Sequence, residues 1–206
     1  MKHIRLSAMI MLLLAALALP AAGRAAETAS QIIAKCAAKV SASPSIKFKF
    51  TLQYGERTSP CDITVARQRY RMSSPEMEVW YDGTTQWTYA KAQKELSITE
   101  PTADELLESN PFAILSHYDK VYKCRRLSGK GLSIEMTARS AASTVRKAVV
   151  SIDPATYLPQ KLIVTLSTGR TFTASVGTAT VGKELPVSCF IYDKKQYPAV
   201  ETVDLR

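Results

Sequence analysis

The 206-residue chain is basic, with 27 Lys and Arg against 18 Asp and Glu and a formal net charge of +9, yet its positive residues mostly alternate with apolar ones instead of clustering. Lys47, Lys49, Arg69 and Arg71 read as the solvated face of a sheet rather than a nucleic-acid groove, so no nucleic-acid partner is expected. Beyond the N-terminal region, no run approaches the roughly 18 apolar residues that a membrane-spanning helix needs.

Residues 1–26 combine a basic start (Lys2, Arg5), an apolar run from Ala8 to Leu19, Pro20 and a small-residue tail. The run is too short to span a bilayer, and the pattern is that of a secretory signal peptide cleaved between Ala22 and Ala26. The nearest cysteine, Cys36, follows the polar stretch ETASQ, which is not the setting of a lipid-anchored cysteine. A soluble mature domain of residues 27–206 is expected, and losing Lys2, Arg5 and Arg24 leaves it at +6.

Thr28-Ala-Ser-Gln31 forms a capping box ahead of Ile32, Ile33, Cys36, Ala37 and Val40 at helical spacing, which predicts a helix over about 29–42. The period then changes to two: Ile46, Phe48, Phe50, Leu52 and Tyr54 alternate with Lys47, Lys49, Thr51 and Gln53, the signature of a half-buried strand. Similar runs follow at 61–67, 69–73, 77–82, 85–90, 95–99, 121–127, 132–138, 146–152, 160–167, 171–180 and 187–192. Tight turns between them predict an antiparallel, strongly curved sheet. Thr102-Ala-Asp-Glu105 and Asn110-Pro111 are two further caps, predicting short helices at about 102–109 and 111–118. The chain is therefore mainly β with a few helices, in one domain.

Little catalytic chemistry is available. The mature segment holds one histidine, His117, read as a cap at a helix end. Asp82 and Asp153 precede Gly or Pro in turns, the setting of backbone-binding aspartates. No motif of nucleophile, phosphate loop or metal ligands occurs, so neither catalysis nor a metal nor a cofactor is expected. Cys36, Cys61, Cys124 and Cys189 contain no Cys-x-x-Cys, and their placement leaves both disulfides and free thiols open.

Apolar surface is more abundant than chemistry. Ile46, Phe48, Phe50 and Leu52 face inward on the first strand, and Phe112, Ile114 and Leu115 come from the middle helices. If the sheet curls without closing, these groups either pack as a solid core or line a cavity. Cys61, Ile63, Val65 and Arg67 share one face of the second strand, so the alternation that turns Ile63 and Val65 inward predicts the same for Arg67. A buried guanidinium would need acceptors such as the free carbonyls of a helix end.

The hairpin Asp82-Gly83-x-x-x-Trp87-x-Tyr89 resembles one found in the periplasmic outer-membrane lipoprotein carrier (LolA) family. The N-terminal helix followed by a Phe-rich strand (Phe48, Phe50), the Asn110-Pro111-Phe112 helix start and Leu158-Pro159 are similar too, over essentially the whole mature length. The resemblance implies an incomplete, unclosed antiparallel β-barrel of about 11 strands covered by the N-terminal and middle helices. It also implies a monomeric carrier in the periplasm of a Gram-negative bacterium, which shuttles lipoproteins from inner to outer membrane with their acyl chains in a hydrophobic cavity. Its partners would be acylated lipoproteins, an inner-membrane ABC release complex and an outer-membrane receptor. The family's second-strand arginine, which bonds the helical lid, matches Arg67, with Tyr70 as its aromatic companion. Here Gln68 replaces the usual proline after that arginine, and Tyr70 stands three positions on instead of four. A lipid-binding sensor or regulatory domain of the same half-barrel fold is the alternative.

Overall fold

The structure is a computed structural model that describes residues 27–206 apart from His117, Lys130, Pro198 and Ala199. The signal-peptide reading of residues 1–26 and the reading of His117 as a cap lie outside the described residues. At the start of the described chain, Thr28 and Gln31 satisfy each other reciprocally, Gln31 N donating to Thr28 Oγ1 (3.2 Å) and Thr28 N to Gln31 Oε1 (2.9 Å). This launches helix α1 (Ala29–Ala42), whose buried stripe is Ile32, Ile33, Cys36 and Val40.

Six strands follow: β1 (Ser45–Tyr54), β2 (Arg57–Ala66), β3 (Arg69–Ser73), β4 (Met77–Tyr81), β5 (Gln86–Ala90) and β6 (Glu95–Thr99). After the short helix α2 (Leu106–Ser109), a 3-10 turn (Pro111–Leu115) and α3 (Tyr118–Val121) come β7 (Tyr122–Arg126), β8 (Leu132–Ala138), β9 (Val145–Ile152), β10 (Pro159–Leu166) and β11 (Thr171–Gly182). A second 3-10 turn (Val187–Phe190) and β12 (Glu201–Asp204) complete the order.

Among the described residues these strands form one sheet in the order β12-β6-β5-β4-β3-β2-β1-β11-β10-β9-β8-β7. The end strands do not meet, so the barrel is incomplete, as the resemblance implied. Strand β1 lies at its middle, pairing with β2 in a register that sets Phe48 opposite Ile63 and Phe50 opposite Cys61. On its other side the register with β11 slips between Lys49 and Phe50. The extra residue is Gly177, a bulge that bends the strand and helps curl the sheet.

The concave face carries Ile46, Phe48, Phe50, Ile63, Val65, Met72, Val79, Ile134, Met136, Val150 and Leu162, all buried. Helix α1 packs over β7 and β8. Together with the middle helices it covers the concave side.

Three expectations are corrected. Residues 187–192 are not a strand: Pro186 precedes a 3-10 turn that buries Phe190 completely and leaves Val187 half exposed. Burial of that one large ring overrides the weak alternation of Val187, Cys189 and Ile191. The last strand is instead β12, and it runs parallel to β6, whereas every other pairing is antiparallel. Third, the middle helices are shorter than their caps suggested. Thr102 N does donate to Glu105 Oε2 (2.7 Å), but regular helix begins only at Leu106, and Pro111–Leu115 is 3-10 rather than α.

The C-terminal segment covers the convex face of β3 to β5. Trp80 pairs directly across from Trp87 on that face, yet Trp80 is buried because Tyr192 and Tyr197 meet its ring edge-on at 5.5 and 5.4 Å. Arg71 lies over the same indole, and Arg69 lies over the Phe190 ring. Tyr197 donates to Glu78 Oε2 (2.8 Å), and burial together with that carboxylate pushes the phenol up to about 12.

All four cysteines are unpaired. Cys36 and Cys61 are buried in the core, and desolvation pushes their thiols up to about 12 and about 11. A thiolate is the reactive form, so both should be inert in the native state. Titration of native protein with an aromatic disulfide reagent should label Cys124 and Cys189 first, with Cys36 and Cys61 reacting only on unfolding. Early labelling of Cys36 would contradict this packing.

Candidate functional site: a helical plug and an apolar pocket

The segment from Leu106 to Leu115 fills the open side of the sheet, and its geometry follows from a cap. Asn110 Oδ1 accepts from Phe112 N (3.1 Å) with Pro111 at the first position of the turn. That fixes the entry angle and drives Phe112 into the concave face. Its ring stacks on Phe48 with centroids 4.2 Å apart and an interplanar angle of 18°, and meets Phe50 edge-on at 5.5 Å. Removing a buried ring of this kind costs about 3–5 kcal/mol, so Phe112 is the main apolar tie between plug and sheet.

A polar knot ties the same segment from its other end. The Tyr70 hydroxyl, on β3, lies 2.6 Å from Ser109 Oγ and donates to Gln86 Oε1 of β5 at 2.6 Å. Ser109 Oγ in turn reaches Gln86 Oε1 at 3.0 Å. Burial raises the Tyr70 phenol far above its ordinary range, so it stays protonated and able to donate. Among the described residues no buried side-chain nitrogen or oxygen lacks a partner, so the knot closes without an orphan.

At the edge of the plug lies an apolar pocket of about 260 Å³. It is lined by Leu52 and Tyr54 from β1, Leu107 and Pro111 from the plug, Val145 from β9, and Leu166 and Phe172 from the β10 and β11 pair, with Asp104, Thr144 and Arg170 at the rim. Asp104 Oδ2 accepts from Thr144 Oγ1 (2.7 Å), which joins the approach to the plug to the loop before β9.

The structure distributes the predicted residues unevenly. Of the cavity-lining set, Leu52 lines the pocket. Ile46, Phe48, Phe50, Ile63, Val65, Phe112, Ile114 and Leu115 are packed into the solid core in this closed form. Tyr70 touches the plug. Arg67 does not: its side chain is 70% exposed, and its Nη2 sits 3.5 Å from Glu184 Oε1. The expectation that it points inward fails because β2 ends at Ala66. Arg67 is the first residue of the β2 to β3 turn, with φ +58°, and alternation no longer applies there.

In the aromatic hairpin, Asp82 Oδ1 accepts from Thr84 N and Thr85 N at 2.9 Å each, and Gly83 takes φ +111°. Trp87 lies opposite Trp80, and the Tyr89 ring meets Tyr197, so both belong to the convex face.

The sequence reading missed Tyr54, Leu107, Val145, Leu166, Arg170 and Phe172. Tyr54 was visible in the same alternation as Leu52. The others come from strands and a helix brought together only by the β1 to β11 pairing, which no local pattern announces.

The family model for outer membrane lipoprotein carrier protein LolA matches residues 19–181, which spans α1, the plug and all but the C-terminal strand. The chain belongs to that family. No curated protein matches the sequence of this LolA-family chain. Among solved structures it resembles an uncharacterised conserved protein from Thermus thermophilus, 13% identical with a TM-score of 0.56, over 85% of this chain and 98% of that one. It also resembles a chain in the MucA/MucB complex of Pseudomonas aeruginosa, 17% identical with a TM-score of 0.51, over 85% of this chain and 64% of that one. At these identities the likeness is one of fold.

Tyr70→Phe tests the knot. The change removes the hydroxyl but leaves Ser109 and Gln86 bonded to each other, so the loss should be about 1 kcal/mol in urea unfolding. Amide exchange should quicken selectively across residues 106–115. Uniform quickening over the whole sheet would mean that Tyr70 supports the core rather than the plug.

Proposed function

We propose that this LolA-family protein is a soluble periplasmic carrier that shelters lipoprotein acyl chains beneath the plug and moves them from the inner to the outer membrane. Residues 1–26 export it, an ATP-driven inner-membrane complex loads it, and an outer-membrane receptor unloads it. The observation that carries this reading is the position of the apolar pocket. One of its walls, Leu107 and Pro111, is the plug itself. Moving the plug would extend the pocket into the trough held by Phe48 and Phe50.

Energetics favour such a device. An acyl chain of about 15 methylenes at ~0.8 kcal/mol each is held in its membrane by about 12 kcal/mol, so unaided crossing of water is ruled out. The closed pocket is too small for that cargo. At about 30 Å³ per water-sized group, 260 Å³ takes roughly half of one chain. Phe112 must therefore leave the trough on loading. Its stacking and the Tyr70 knot set a cost of a few kcal/mol, which keeps cargo affinity intermediate and release feasible. Tyr70, rather than Arg67, is the residue that latches the plug in this reading.

Native mass spectrometry with a triacylated lipopeptide should show a 1:1 complex. Phe112→Ala vacates the trough and should bind the lipopeptide more tightly, about tenfold, while transferring it to acceptor vesicles more slowly. In cells, depletion should leave lipoproteins in the inner membrane. Absence of a complex with both proteins would sink the carrier reading, and a stress-response change without mislocalised lipoproteins would favour the sensor role.

A further inference from the structure

The rim of the apolar pocket carries a charge that a neutral acyl ester does not need. Arg170 sits at the end of the β10 to β11 turn, held in place by its own backbone, since Leu166 N donates to Arg170 O (2.8 Å) and Gly169 N to Leu166 O (3.0 Å). Its guanidinium lies over the Tyr54 ring, 4.5 Å from the centroid. Stacking on an aromatic face leaves the N–H edge of the guanidinium free to donate in its own plane. Among the described residues no carboxylate lies within ion-pair distance of Arg170, a lack it shares with Arg57, Arg69, Arg126, Arg139 and Arg146; what sets it apart is its place on the lining of the apolar pocket. Among the described residues this is a cation without an ion-pair partner, resting on an aromatic face at the mouth of an apolar hole.

We infer that the pocket also binds a single-chain amphiphile with an anionic head, its chain along Leu52, Leu166 and Phe172 and its head on Arg170. The inference concerns the site of the carrier reading but names a ligand class of its own. The anchor of a triacylated lipoprotein is joined through esters and an amide and offers no anion to the guanidinium. One chain suits the volume, which holds roughly half of one acyl chain and leaves no room for a second. The bidentate fork of Arg170 suits a carboxylate or a phosphate ester equally well.

Asp104, the acidic group on the same rim, belongs to the approach to the plug, and its Oδ2 is occupied by Thr144. Arg170 belongs to the sheet. Movement of the plug would carry Asp104 away and leave the cation where it is.

Displacement of 11-dansylaminoundecanoic acid by palmitate, by methyl palmitate and by lysophosphatidylglycerol tests this on the full mature chain. Wild type should prefer palmitate to its methyl ester by about tenfold, and in Arg170→Gln that ratio should fall toward one. Lysophosphatidylglycerol competing better than palmitate would identify the head as a phosphate ester, and the reverse order a free fatty acid. Arg170→Lys should keep part of the preference. Arg170 is exposed, so the urea midpoint of both variants should match wild type. Equal affinity of wild type for palmitate and methyl palmitate would overturn the inference, as would equal weakening of both ligands in Arg170→Gln. Loss of lipopeptide binding with the palmitate preference intact would overturn only the carrier reading.

Discussion

A sheet that curls without closing leaves a concave apolar face that helices must fill, and here one ring of the plug seats on its central strand. Phe112 lies flat on Phe48 and edge-on to Phe50, on the middle strand of the sheet. Stacked and edge-to-face contacts of this kind add about 0.5–1.5 kcal/mol to the burial of the ring itself. Because burial is non-directional, that ring could slide along the trough. The Tyr70–Ser109–Gln86 knot and the Asn110 cap give its position a direction. Apolar area supplies the strength of closure, and the hydrogen bonds supply its register.

Much of this architecture was legible in the sequence because each element carries its own signal. The capping box of α1 and the alternation of β1 agree with local propensity and with burial, so the structure reproduces them closely. Arg67 shows where such reasoning stops. Alternation is a property of a strand, and extending it one residue past Ala66 assigned a side chain to a face the backbone had already left. The pocket was illegible for a different reason. Its lining is shared among β1, β9, β10, β11 and the plug, and only the pairing of β1 with β11, which are over a hundred residues apart in sequence, brings them to one place.

The convex aromatics were half legible. Alternation along β4 puts Trp80 on the opposite face from Val79 and Tyr81, as the structure does, but alternation cannot tell an exposed face from one that a later segment covers. Tyr192 and Tyr197 supply that cover, and Tyr192 comes from the run 187–192 whose own pattern suggested another strand.

That cover bears on the plug. The family match ends at residue 181, so the part of the chain that packs over β3 to β5 lies beyond it. Strands β3 and β4 are consequently packed on both faces, by Tyr70, Met72, Val79 and Tyr81 within and by Phe190 and the C-terminal tyrosines over Arg69 and Trp80 without, while β5 is half-buried throughout. Tyr70 and Gln86, the sheet side of the knot, stand on β3 and β5. The apolar pocket opens on the other side, against β10 and β11, whose outward residues Lys161 and Ser175 are left to solvent. Regions with few apolar contacts open at lower free energy than regions packed on two sides. The plug is thus anchored to the stiffer half of the sheet and faces the looser half, an arrangement in which it can swing about the knot without the barrel wall having to unfold.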